Sequence, residues 1–330
     1  MYLKPKLITC MKNYSLSQFT KDVISGIIVA IIALPLSIAL ALASGVGPEQ
    51  GLYTAIVAGF VISLLGGSRV QIAGPTAAFA SIVAGIVARN GMEGLALATI
   101  LAGIILILMG VFKLGALIKF IPFTITTGFT LGIAVTIAIG QIKDFLGLTF
   151  VNAPIETMDK LFEVFRCIGT FNWQAFVVGL VCLAILIFWP KKLEKIPASL
   201  IAVVVGAAMV ALLKMDVKTI GDLYDISSAP PKFTLPVFSF EKMSAVASDA
   251  FTIAILAAIE SLLSCVVADG MIGSKHNSNM ELVAQGAGNI ASAFFGGIPA
   301  TGAIELSPIP SPLRPRLAIE SRKHAASLPS

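Results

Sequence analysis

The sequence predicts an all-α polytopic membrane protein, and three observations carry that expectation. Of the 330 residues, 57% are hydrophobic and only 12% are charged, with a mean hydropathy of +0.93. A soluble domain carries about twice that charged fraction. The deficit is spread along the chain in many apolar runs, each near the roughly 20 residues that cross a bilayer, so a soluble protein with one anchor is excluded. The basic residues that give the net charge of +5 gather between the runs, as residues on a cytoplasmic face do.

The first run, from about Val23 to Ala43, is too long for the apolar region of a cleavable leader and is read as a span. Further spans are expected near 49–66, 75–88, 93–112, 115–141, 173–189, 197–213, 245–268 and 279–296, with a tenth beginning near 300. The third, opening at Pro75, covers only about 20 Å at 1.5 Å per residue and cannot cross a core of about 30 Å. The tenth opens after Gly296-Gly297-Ile298-Pro299 much as the third opens after Gly66-Gly67-Ser68-Arg69. Short Gly/Pro-interrupted segments at corresponding positions of two halves point to a transporter site.

Topology follows by counting. With Lys4, Lys6, Lys12 and Lys21 inside, spans two, four and six end inside at Arg69, at Lys113 and Lys119, and at Lys191, Lys192 and Lys195. Seven spans precede the eighth, which therefore enters from outside, so a second repeat would be inverted. Ala30–Gly45 (AIIALPLSIALALASG) laid on Ile255–Gly270 (ILAAIESLLSCVVADG) matches Pro35 with Glu260 and Gly45 with Gly270. The stretches 142–172 and 214–243 are external, and Glu156–Arg166 suits an amphipathic surface helix. Domain limits are then 1–21 for a cytoplasmic segment and 22–304 for the membrane domain. The first repeat covers about 22–213, and the second begins at about 245–304. From Glu305 to Ser330 the apolar pattern stops, and Pro308, Pro310, Pro312 and Pro315 forbid a continued helix.

The composition also removes function classes. No basic stripe with interleaved aromatics appears, so nucleic acid is not an expected partner. The four cysteines show no CxxC spacing and read as small core residues. No nucleophile–base pair, metal cluster or phosphate loop appears, so no enzyme is expected. Tyr53 and Arg69 are read as packing and topology residues, and His276 as a solvated loop residue.

The stretch PEQGLYTAIVAGFVISLLGGSR, Pro48 to Arg69, resembles the signature of the SulP family of anion permeases, which includes bacterial sulfate-transporter-like proteins and prestin. Pro48, Gly51, Leu52, Tyr53, Thr54, Ala55, Gly67, Ser68 and Arg69 fit it, whereas Gln50 stands where the family has Tyr. IAGPTAAFAS (Ile72–Ser81) is similar to the family's third-helix start, and Ile259–Ile290 to its eighth and ninth helices. The resemblance covers about residues 15–304. It implies a seven-plus-seven inverted-repeat fold like that of uracil permeases, with short strands before the broken helices. Helices 1–4 and 8–11 would form a core domain, and helices 5–7 and 12–14 a gate domain. After Ile304 the chain departs from the pattern: helices 11–14 and the usual STAS domain are not expected in it. A frameshifted or rearranged gene would produce such a tail, and resequencing the locus tests this.

The candidate site follows from helix ends and one acid. Pro75 is suited to the first position of a helix, whose free N–H groups at Thr76, Ala77 and Ala78 would face an anion near the midplane. Thr76 adds a hydroxyl donor. Gly302 and Ala303 are the counterparts on the tenth helix. Pro35 is expected to break span one beside them, with Leu36 and Leu40 as an apolar wall. Glu260 lies mid-span, where a carboxylate costs a few kcal/mol and desolvation favours its protonated form. It is the candidate for cation coupling, and the matching family position implies the same. Ser264, one turn on, shares its face and is a candidate to bond Glu260 or help hold Na⁺.

The expected function is secondary active transport of a small inorganic anion, sulfate by default, coupled to H⁺ or Na⁺, with no other cofactor. Bicarbonate and C4-dicarboxylate symport, an uncoupled channel and a permease fragment without transport are the alternatives. The lipid bilayer is the obligatory environment, a homodimer is compatible, and the expected location is the inner (plasma) membrane with the N-terminus cytoplasmic.

Overall fold

The computed structural model describes residues 3–116, 123–152, 154, 156–190, 198–224 and 229–303. The tail 305–330 and the basic residues Lys119, Lys191, Lys192 and Lys195 lie outside them. The order is α1 (Lys6–Cys10), α2 (Leu16–Ala43), α3 (Pro48–Leu65), β1 (Ile72–Pro75) and α4 (Ala80–Val111). Then come α5 (Phe123–Phe145), α6 (Thr157–Arg166), α7 (Trp173–Phe188), α8 (Ala198–Leu213) and α9 (Ile220–Leu223). The described chain closes with α10 (Phe240–Ile272), α11 (Ser278–Phe294) and β2 (Ala300–Ala303). Among the described residues, four segments are long and apolar enough to cross a membrane: α2, α3, Ala77–Val111 and α10. The helices α7 and α8 are shorter but equally apolar.

Local chemistry fixes the helix ends. Ser15 Oγ accepts from the Gln18 N–H at the start of α2, and Asn172 and Asn277 cap α7 and α11 in the same way, each satisfying an orphan donor. Pro48 opens α3, where its missing N–H is not needed. Gly273 ends α10 with φ of 64°, a conformation that costs glycine little. Within α4 the chain breaks at Gly91 (φ 67°, ψ −175°). The arm before the break, Ala80 to Asn90, is about 16 Å long at 1.5 Å per residue, so the third expected span is a half-crossing joined to the fourth. The expected break at Pro35 is absent: α2 runs through it as one 28-residue helix. A proline removes one N–H bond and strains one turn, which a helix of this length absorbs without ending.

The core is built by α4, α10 and α11, with α3 on the outer side of α11 and α2 against α3. Phe79, Val83, Ile86, Leu95, Ala98 and Leu106 mesh with Val246, Ile253, Ala254 and Ala257 of α10 and Leu282 of α11. The α4–α11 crossing is a backbone contact between two glycines. A Cβ on Gly103 would come 2.7 Å from the Gly286 carbonyl oxygen, and one on Gly286 would press on the Gly103 carbonyl. Small residues let helices in lipid approach until dispersion and backbone contacts hold them. The helices α5 to α8 form a second group in which α7 packs on α8 and α5. Between α5 and α7 the expected amphipathic helix forms as α6: Met158, Phe162 and Phe165 are exposed, whereas Glu163 and Val164 are buried.

Gly103→Val and Gly286→Val should each destabilise the folded chain by about 1–3 kcal/mol, the usual cost of overpacking. The double variant should lose less than the sum, because both side chains disrupt one crossing. Thermal unfolding in detergent measures this, and unchanged midpoints would refute the close contact.

Candidate functional site

The two strands cross antiparallel, pairing Ile72 with Ala303, Ala73 with Gly302, Gly74 with Thr301 and Pro75 with Ala300. Each follows a helix and a Gly-Gly turn, and together they make a patch of non-helical backbone inside a helical core. Such backbone is tolerated at membrane depth only when its polar groups are satisfied by protein or by a cavity. Side chains from the surrounding helices do this here.

Asn289 of α11 is fully buried and reads Ala300 with both ends of its amide: Oδ1 accepts the Ala300 N–H at 2.9 Å, and Nδ2 donates to the Ala300 carbonyl at 2.8 Å. Thr54 of α3 accepts the Ile298 N–H at 2.7 Å, and Ser292 Oγ donates to the Ile298 carbonyl at 2.9 Å. Ser261 of α10 accepts the Gly302 N–H at 3.2 Å and lies 3.1 Å from the Thr301 hydroxyl. Gln71, just before β1, donates to the Ser261 carbonyl at 3.2 Å and accepts from the Cys265 thiol. Its amide fills the space where a Gly302 Cβ would sit, so a larger residue at 302 would have to displace Gln71 from these bonds.

Thr76 and Glu260 meet beside this crossing. Thr76 leaves β1 in an extended conformation (φ −132°, ψ 155°) and starts the 3₁₀ turn Ala77–Phe79 that leads into α4. Thr76 is 8% exposed, and its hydroxyl donates to Glu260 Oε2 at 3.1 Å. Glu260 is half-buried, and Ser264, one turn on, is buried. Pro75 is not a helix start as expected: it ends β1, opposite Ala300. Proline suits that place because it has no N–H to leave unpaired at a strand end. Gly302 and Ala303 likewise lie in β2 and not at a helix N-terminus, and the helix expected after them falls outside the described residues. Ala77 sits half-buried in the 3₁₀ turn. Leu36 and Leu40 are half-buried on α2, which reaches β1.

Sequence reasoning missed Gln71, Ser261, Asn289 and Ser292. One signal was present: Glu281, Gln285 and Asn289 recur every fourth residue, a polar stripe on one face of an otherwise apolar helix. Gln71 finds its partners Ser261 and Cys265 at 190 and 194 positions away in sequence, and no local pattern reports that.

His276 is also not where the sequence suggested. Its side chain is only 9% exposed, with Nδ1 2.7 Å from Asp269 Oδ2 and Nε2 2.9 Å from Ser278 Oγ. The Asp–His–Ser order is that of a nucleophile triad, but here it closes a turn. The His276 N–H and the Ser274 hydroxyl donate to the same carboxylate, tying the end of α10 to the start of α11. Next to it Glu281, fully buried, accepts the Gly67 N–H at 2.8 Å and the Gln285 amide at 2.9 Å.

The model of the sulfate permease family matches residues 19–310. The Bacillus subtilis protein YvdB is 46% identical over 295 residues, which is 89% of this chain and 56% of that protein. The bicarbonate transporter BicA of Picosynechococcus is 34% identical over 294 residues, 86% of this chain and 51% of that one. In three dimensions the transmembrane domain of a cyanobacterial BicA superposes with a TM-score of 0.76 at 29% identity, covering 90% of this chain and 76% of that one. The chain belongs to the sulfate permease family, an integral membrane family. It spans about half the length of the curated relatives it matches.

Asn289→Ala should leave the Ala300 N–H and carbonyl without their partners, at a cost of about 1–3 kcal/mol for each unmet buried group. Faster amide exchange at Ala300 and Gly302, with α7 and α8 unchanged, is the expected result. Uniform protection across β2 would show that the clamp is unimportant.

Proposed function

We propose that this chain carries the substrate-binding part of a cation-coupled anion permease. The observation that supports it best is the Thr76–Glu260 hydrogen bond. It joins a carboxyl group from mid-α10 to the start of the α4 arm, next to the strand crossing. An acid at membrane depth is costly and is functional by default. An anion at the same place would need its charge offset, and a proton or sodium ion held at Glu260 and Ser264 would supply that.

The first N–H groups of a helix lack intrahelical acceptors and carry partial positive charge. The N–H groups of Thr76 and Ala77 are therefore the donors proposed for the anion, with Pro75, Gly302 and Ala303 shaping its floor and Leu36 and Leu40 its apolar wall. Sulfate is the first substrate to test, from the family's description. Bicarbonate is the second, because BicA is a named bicarbonate transporter. C4-dicarboxylates are the third.

The architecture supports alternating access. The succession helix, helix, strand occurs twice, as α2–α3–β1 and α10–α11–β2, which is the order an inverted repeat would give. In this reading α2–α4 with α10 and α11 form the moving core and α5–α8 belong to the gate. The N-terminus faces the cytoplasm across the inner membrane, and a homodimer is compatible with the arrangement.

Uptake of labelled sulfate or bicarbonate into proteoliposomes, under imposed proton or sodium gradients, tests the reading. The expected result is uptake driven by one of the two gradients and lost, by about tenfold or more, in Glu260→Gln. Gradient-driven accumulation that persists in Glu260→Gln would exclude coupling through this residue. Flux that follows only the anion gradient would favour a channel.

A further inference from the structure

We infer that Thr76 transmits the protonation of Glu260 to the anion, its hydroxyl reversing hydrogen-bond polarity as Glu260 gains or loses a proton. The inference rests on the anion-site reading above and goes beyond it by assigning the coupling to one side chain.

A threonine hydroxyl has one proton to donate and two lone pairs to accept with, whereas an ionised carboxylate only accepts. In the structure Thr76 spends its one proton on Glu260 Oε2, at 3.1 Å. Its β-branched side chain has few rotamers, and its backbone is held between β1 and the 3₁₀ turn. The hydroxyl therefore stays at Glu260 and changes only the direction of its proton. While Glu260 is ionised, Thr76 offers lone pairs to the surrounding space, and an anion there meets acceptors and a negative charge.

A proton taken from solution on Oε2 inverts this. The new Glu260 O–H donates to Thr76 Oγ1, and the threonine proton turns outward toward the anion. One proton thus removes a negative charge and adds a donor, and both changes favour the anion. The proton leaves Glu260 as the anion is released, so no other group need change its protonation.

The surroundings suit a relay of two groups. The strands β1 and β2 and the turn Ala77–Phe79 contain no titratable side chain. On α4 the charged residues are Arg89 and Glu93, paired with Asp249 and Lys242 of α10. Asp249 lies eleven residues before Glu260 and Asp269 nine after, about 16 and 13 Å along the helix at 1.5 Å per residue. Asp269 is tied to His276. Glu281, from α11, is bonded to Gly67 and Gln285.

The test is equilibrium binding of sulfate, and separately of bicarbonate, to the full chain in nanodiscs from about pH 8 to about pH 5. Wild type and Thr76→Ser should bind more tightly as the pH falls, by about tenfold or more. Glu260→Gln should bind at the acid-form affinity at every pH, because its amide N–H donates to Thr76 as the protonated acid would. Thr76→Val should bind weakly and lose most of the pH dependence. In the Thr76→Val background Glu260→Gln should bring little gain. Thr76→Ala serves if the valine variant does not fold, as thermal unfolding will tell.

Full pH dependence in Thr76→Val or Thr76→Ala would overturn the relay while leaving the anion site in place. Binding of neither anion by wild type at any pH would overturn the site reading and the relay with it.

Discussion

Everything in the core depends on satisfying two short strands of backbone where a helical membrane protein would normally have none. A helix meets its own hydrogen-bonding needs, whereas a strand in lipid does not. Crossing β1 with β2 satisfies one edge of each. The outer edge of β2 and the turn before it need donors and acceptors from elsewhere, and these come from α3, α10 and α11. Asn289 and Ser292 reach in from α11, Thr54 from α3 and Ser261 from α10. An unmet buried group costs about 1–3 kcal/mol, so these side chains are conditions for the crossing and not ornaments to it.

The same constraint explains the close packing around it. To reach backbone groups with side chains as short as Ser, Thr and Asn, the helices must approach closely. They do so through small residues: Gly103 against Gly286, and Gly302 against the Gln71 amide. The break within α4 and the end of α10 fall where glycine accepts a positive φ, at Gly91 and Gly273. The Asp269–His276–Ser278 clasp and the buried Glu281 then fix the turn that leads into α11, and with it the register of Asn289 against Ala300.

How much of this was legible in the sequence depended on whether the signal was local. The apolar runs, the half-length arm ending at Gly91, the amphipathic α6 and the mid-helix place of Glu260 all follow from composition, periodicity or one misplaced polar residue. Pro35 and Pro75 were misread because proline permits more than one outcome: a bend that a long helix tolerates, or a strand end, as well as a helix start. His276 was misread because its burial comes from Asp269, seven positions back, and from a turn that only the fold closes. The clamps on β2 and the turn before it were invisible for a stronger reason: Ser261 and Gly302 are 41 positions apart, and Thr54 and Ile298 are 244 apart. The polar stripe on α11 announced that something was bonded there, but not what.

Two acids within this core show how one fold gives the same chemical group different work. Glu281 has no exposed surface, and its oxygens accept one backbone and one side-chain N–H. The Gly67 N–H can only donate, so a proton on the Glu281 oxygen that accepts it would weaken that bond and loosen the turn around Gly67. Glu260 is half-buried and accepts from a hydroxyl. A hydroxyl can donate or accept, so the contact between Glu260 and Thr76 survives a change of protonation with its polarity reversed. Partner chemistry, more than burial, therefore separates the acid that holds the fold from the one able to take part in a cycle.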